Sequence, residues 1–64
     1  MTYQECENAY DKWKHFISGQ IFIDGIWEDI TDIEKDAHRS WICKTSKTTI
    51  ELSDIQFCHI QFPT

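Results

Sequence analysis

Six carboxylates fall between residues 24 and 36: Asp24, Glu28, Asp29, Asp32, Glu34 and Asp36, with Lys35 as the only base before Arg39. Such a run has two readings. Most charge runs are solvated rims. The functional reading is a contact surface for a basic groove, where carboxylates take the place of phosphates and association is fast and salt-sensitive. Trp27 lies inside the run. It is either an apolar anchor of that surface, since Trp is favoured at binding hot spots, or a core residue. On a regular strand over residues 26–33, Glu28 and Asp32 share one face and Asp29 takes the other, so the acids do not form a single blade. General acid/base chemistry could be drawn from any two of these acids, and nothing in the spacing favours a buried, shifted pair. The D-x-[DN]-x-[DN]-G spacing of a calcium loop is absent.

Cys6, Cys43, Cys58, His15, His38 and His59 are the remaining residues with metal or nucleophile chemistry. No C-x₂-C or H-x₃-H pair occurs, and Cys58 and His59, as strand neighbours, would point to opposite faces. The expectation is no metal, no cofactor and no catalytic residue. Three widely spaced cysteines and a polar, acidic start (MTYQECENAYDK) suggest free thiols in a reducing cytoplasm, not a secreted disulfide scaffold. A second binding chemistry is possible around Trp41, Lys44 and Lys47, with His59 nearby: an aromatic beside bases can stack a nucleobase. Two lysines are a weak footprint on a chain of net charge −5.

The elements that position these residues follow from period and punctuation. Sixty-four residues allow one domain, and nine aromatics supply much of its core. No stretch approaches the roughly 20 apolar residues of a membrane span. Residues 2–18 read as one amphipathic helix. Thr2 and Glu5 form a capping box. Tyr3, Cys6, Tyr10, Trp13 and Ile17 recur at steps of three and four, with Ala9 and Phe16 widening the stripe, and Gly19 suits the C′ position. That stripe packs on a sheet or, left uncovered, makes a homodimer surface.

Five strands follow, at about 20–24, 26–33, 40–45, 48–52 and 56–61. Asp24-Gly25 turns the first hairpin. Thr45-Ser46-Lys47 turns another, and Ser53-Asp54-Ile55 makes one helical turn. Ile26 and Ile30 on one face of the second strand, with Trp27 and Ile33 on the other, suggest a curled sheet. The expected fold is therefore α+β: an N-terminal helix on a strongly bent five-stranded antiparallel SH3-like barrel.

The segment Thr49-Ile50-Glu51-Leu52-Ser53-Asp54-Ile55, followed by an alternating strand, resembles the ending common in SH3-like and Sm-like small barrels. With a preceding helix in a small acidic chain, the plan is similar to the Rof-like inhibitors of Rho-dependent transcription termination. The resemblance is one of topology and transfers no residue role. It implies a non-catalytic inhibitor or modulator of a larger intracellular nucleic-acid-processing protein, in transcription, termination or phage defence. The partner-binding set is Asp24, Trp27, Glu28, Asp29, Asp32, Glu34 and Asp36, facing a basic protein surface. The small size suits a phage or plasmid gene. The alternative is a nucleic-acid-binding barrel using Trp41, Lys44 and Lys47.

Overall fold

The computed structural model describes residues 1–38 and 40–63. Helix α1 spans Tyr3–Phe16. Its start is the capping box read from the sequence: the Glu5 amide donates to Thr2 Oγ1 (3.2 Å) and the Thr2 amide to Glu5 Oε1 (2.9 Å). Lys14 and His15 occupy the last turn, where positive charge complements the helix dipole. The helix stops two residues earlier than Gly19 suggested. Ile17 takes the left-handed conformation (φ 50°), and its amide donates to the Trp13 carbonyl at 2.7 Å. A β-branched residue is strained there, and Ile17 is 74% exposed. Gly19 serves close approach instead of capping. A Cβ at this position would sit 2.8 Å from the Phe62 ring and 3.2 Å from the Gln61 carbonyl oxygen.

The strands are β1 (Gln20–Ile23), β2 (Ile26–Lys35), β3 (Trp41–Thr45), β4 (Thr49–Glu51) and β5 (Ile60–Gln61). They form one antiparallel sheet in the order β4-β3-β2-β1-β5. Asp24 (φ 52°) and Gly25 (φ 84°) both lie at positive φ, the signature of a type I′ turn, and close the β1–β2 hairpin. The β3–β4 turn is held by Thr45, whose Oγ1 accepts from the Lys47 and Thr48 amides (3.2 and 3.1 Å).

The sheet is open, and the expected SH3-like barrel is not formed. β4 and β5 are its two edges and do not pair with one another. The physical reason lies in the last quarter of the chain. A six-residue fifth strand was expected over 56–61, but Phe57–His59 winds into a 3-10 turn, leaving two residues to pair with β1. A second 3-10 turn, at Leu52–Asp54, ends β4 after three residues. Edges this short cannot reach round to each other, and shortness itself protects them from pairing with other chains.

β2 is longer than its expected span and carries a β-bulge. Its pairing with β3 shifts by one residue between Ile30 (opposite Thr45) and Asp32 (opposite Lys44). Thr31 is the extra residue, and its Oγ1 donates to the Lys44 carbonyl (2.9 Å). This shift, not curling, lets Ile30 and Ile33 be buried on the same face despite their odd spacing.

One face of the sheet is the core. Ile21, Ile30, Ile33, Trp41, Cys43 and Ile60 meet Cys6, Ala9 and Trp13 of α1, with Leu52 and Ile55 beneath. The Tyr3 ring stands edge-on to Trp41 (centroids 4.8 Å) and Lys35 Nζ lies 5.2 Å over the Trp41 ring. The Met1 amino group donates to the Ser53 and Ile55 carbonyls (3.1 and 2.6 Å), tying the helix start to the Leu52–Asp54 turn. Among the described residues no helix is long and apolar enough to cross a membrane.

Candidate functional site

Residues directly paired across an antiparallel ladder share a face, so the register assigns every side chain of the second, outer face. β1 gives Gln20 and Phe22, paired with Asp29 and Trp27 of β2. Beyond the bulge, Asp32 pairs with Lys44 and Glu34 with Ile42. Glu51 and Thr49 of β4 stand opposite Ile42 and Lys44, and Gln61 of β5 opposite Gln20. The bulge therefore changes the arrangement read from a regular strand. Asp29, Asp32 and Glu34 lie together on the outer face, and Glu28, opposite the buried Ile21, lies on the core side at its rim.

The seven expected partner-binding residues are thus divided. Asp29, Asp32, Glu34 and Trp27 are brought together, with Trp27 42% exposed. Asp24 is in the hairpin turn at the end of the same face. Glu28 is not part of it. Asp36 has a different task. Its Oδ1 accepts from the amides of His38 (2.8 Å) and Ser40 (2.9 Å), pinning the loop after β2. These bonds, the Ser40 amide first, hold the Asp36 carboxyl below its ordinary value of 3.8. Glu51, on β4, was missed. It lies fifteen residues beyond Asp36, and only the β3–β4 pairing brings it to the face.

The outer face has two halves. One is acidic. Asp29, Asp32, Glu34 and Glu51 against Lys44 give a formal −3 (four carboxylates, one ammonium). The Lys44–Glu34 ion pair (3.2 Å) is half-exposed on both sides and so contributes little to stability. The other half is aromatic. Phe22 and Trp27 tilt against each other with centroids 5.3 Å apart, and His59 approaches Phe22 at 5.2 Å. Between the halves runs a row of amides: Gln61 Nε2 donates to Gln20 Oε1 (2.8 Å), and Gln20 Nε2 donates to Asp29 Oδ1 (3.2 Å). Helix α1 and the Leu52–Asp54 turn pack on the opposite face.

The residues of the alternative site are not assembled. Trp41 is 4% exposed, in the core, and cannot stack a base. Lys44 is engaged with Glu34, and Lys47 is in the β3–β4 turn. Of the helix stripe, Cys6, Ala9 and Trp13 are buried, whereas Tyr3, Phe16 and Ile17 remain exposed. Phe16 lines an open groove of about 250 Å³ with Ala9, Lys12, Phe57, Ile60 and Phe62.

All three cysteines are free thiols. Burial raises the Cys6 thiol, and burial together with nearby Asp32 pushes Cys43 up to about 12, so both stay neutral and inert as nucleophiles. Among the described residues no three His, Cys, Asp or Glu side chains converge on a metal position.

Comparison of the chain with protein-family models, with curated proteins and with solved structures finds no match. The expected resemblance to SH3-like and Sm-like barrels, and to the Rof-like inhibitors among them, is overturned by the open sheet, whose edges β4 and β5 do not meet.

Proposed function

We propose that this protein acts by binding, not by chemistry, and that its working surface is the outer face of the sheet. The partner is a larger cytoplasmic protein with a basic surface. The observation that carries the reading is the register shift at Thr31, which gathers Asp29, Asp32 and Glu34 beside the exposed Trp27 on the face opposite α1. A patch of carboxylates around an aromatic anchor has the anatomy of a steered interface: charge sets the encounter rate and register, and the buried aromatic supplies affinity. A basic groove built for nucleic-acid phosphates fits this surface, which makes nucleic-acid-processing proteins the preferred partner class and competition with nucleic acid the mode of action.

The test is affinity capture from a cell lysate at low and moderate salt, with and without nuclease, using the wild type and the triple variant Asp29→Lys, Asp32→Lys, Glu34→Lys. The expected result is a protein retained after nuclease treatment, released by raised salt and lost with the triple variant, yet still held by the rim variant Glu28→Lys. Equal capture by wild type and triple variant overturns the reading. So does capture that vanishes with nuclease.

A further inference from the structure

Where the aromatic and acidic halves of the outer face meet, Trp27 and Asp29 are two residues apart on the same face of β2, about 6.7 Å between Cα atoms. The indole is half-exposed and backed by Phe22 at 5.3 Å. The neighbouring carboxylate is oriented by the amide row that crosses three strands: Gln61 holds Gln20 (2.8 Å), and Gln20 Nε2 holds Asp29 Oδ1 (3.2 Å). One bond to one oxygen fixes the carboxylate and leaves most of its lone pairs free. The corner therefore presents a half-exposed indole and a pre-oriented acceptor beside further carboxylates.

A guanidinium matches all of these features together. It is planar and weakly hydrated, stacks on an indole face, and directs N–H donors in its own plane toward a carboxylate. An ammonium is a compact, strongly hydrated point charge that gains from the field but does not stack. We infer that the Phe22–Trp27–Asp29 corner is an arginine-binding site, which receives an arginine side chain of the protein partner in preference to lysine. Gln20 and Gln61 are positioning residues for it. This inference rests on the proposed function, since it names which basic side chain the outer face takes.

The test uses the full ¹⁵N-labelled chain and two blocked peptides of equal charge, in which arginine or lysine alternates with glycine. The Trp27 indole N–H and Asp29 amide resonances are followed by NMR. The arginine peptide is expected to shift both saturably and to bind about threefold or more tightly than the lysine peptide, the size of an exposed cation–π contribution. Asp29→Asn and Trp27→Leu are each expected to erase that preference, with unchanged Trp13 and Trp41 indole resonances showing that the core persists. Gln20→Ala is expected to reduce it in part. Equal binding of the two peptides overturns the arginine site and leaves the acidic face standing. No saturable shift with either peptide overturns both readings. A saturable shift with a single-stranded oligonucleotide, and none with arginine, assigns the corner to stacked bases and overturns the inference.

Discussion

The two faces of the sheet are made by alternate residues of the same strands, yet they are different kinds of surface. On the core face, Ile21, Cys43 and Leu52 are fully buried against or beneath α1. Among the described residues, the titratable groups of the buried cluster are two thiols held neutral by desolvation. On the outer face, carboxylates, amides and a half-exposed aromatic pair lie side by side, and the Lys44–Glu34 ion pair there is solvated. The core face explains why the chain folds. The solvated Lys44–Glu34 pair adds little to folding, and the proposed binding role would account for the acid and aromatic gathered on this face.

The largest expected difference between the faces is in stability. Leu52→Ala empties a fully buried site and is expected to cost about 2–5 kcal/mol, a large part of the stability of a small domain. The triple lysine variant of Asp29, Asp32 and Glu34 is expected to change stability by less than about 1 kcal/mol. Urea denaturation of both variants checks the contrast, and comparable losses would break it.

A smaller effect is expected from deleting Thr31. The extra residue of the bulge is removed, the strand becomes regular, and each side chain keeps its face. The Thr31–Lys44 hydrogen bond and the local twist are lost. The chain should remain folded and be weakened by about 1–2 kcal/mol, the size of that bond and some strain. Deleting Glu28 instead inverts part of β2 and is expected to abolish the cooperative thermal transition. Equal tolerance of the two deletions would contradict the assigned faces.

The smallest effect separates Asp36 from the acids of the face. Its folded-state carboxyl titrates below its ordinary value because the Ser40 and His38 amides favour the charged form. A depressed carboxyl stabilises the fold above its unfolded-state value and ceases to do so as the pH falls through the folded value. The Ser40 amide resonance is therefore expected to hold steady through the ordinary range of aspartate titration and to move only below it. Movement of that amide within the ordinary range would show that Asp36 does not hold the loop.

Much of the fold was legible in the sequence. The capping box, the Asp24-Gly25 hairpin and the buried helix positions Cys6, Ala9 and Trp13 follow from short-range chemistry, and the single helical turn expected at Ser53-Asp54-Ile55 falls one residue earlier, at Leu52–Asp54. Two features did not. Phe57–His59 has the alternation of a strand but coils into a 3-10 turn, because period two over six residues does not distinguish them without the pairing partner. A closed barrel follows from a long fifth strand and from apolar residues on both faces of a regular β2, and the two-residue β5 and the bulge remove both grounds. The residue type at position 31 does not mark the bulge, since a threonine is at home in any strand, and the shift against β3 is what shows it. Half the candidate site was therefore visible as composition, the acids and Trp27, while its geometry was not. With Thr31 set aside, the alternation from Trp27 to Glu34 is regular, and that was the one available signal.

The proposed binding at the outer face is tested most directly by adding the captured partner to the ¹⁵N-labelled chain and mapping the perturbed resonances. Changes are expected at the Trp27 indole and at the amides of Asp29, Asp32 and Glu34, with Phe16, Phe57 and Phe62 unmoved. Changes confined to those three phenylalanines would place the partner in the groove between α1 and β5 and contradict binding at the outer face.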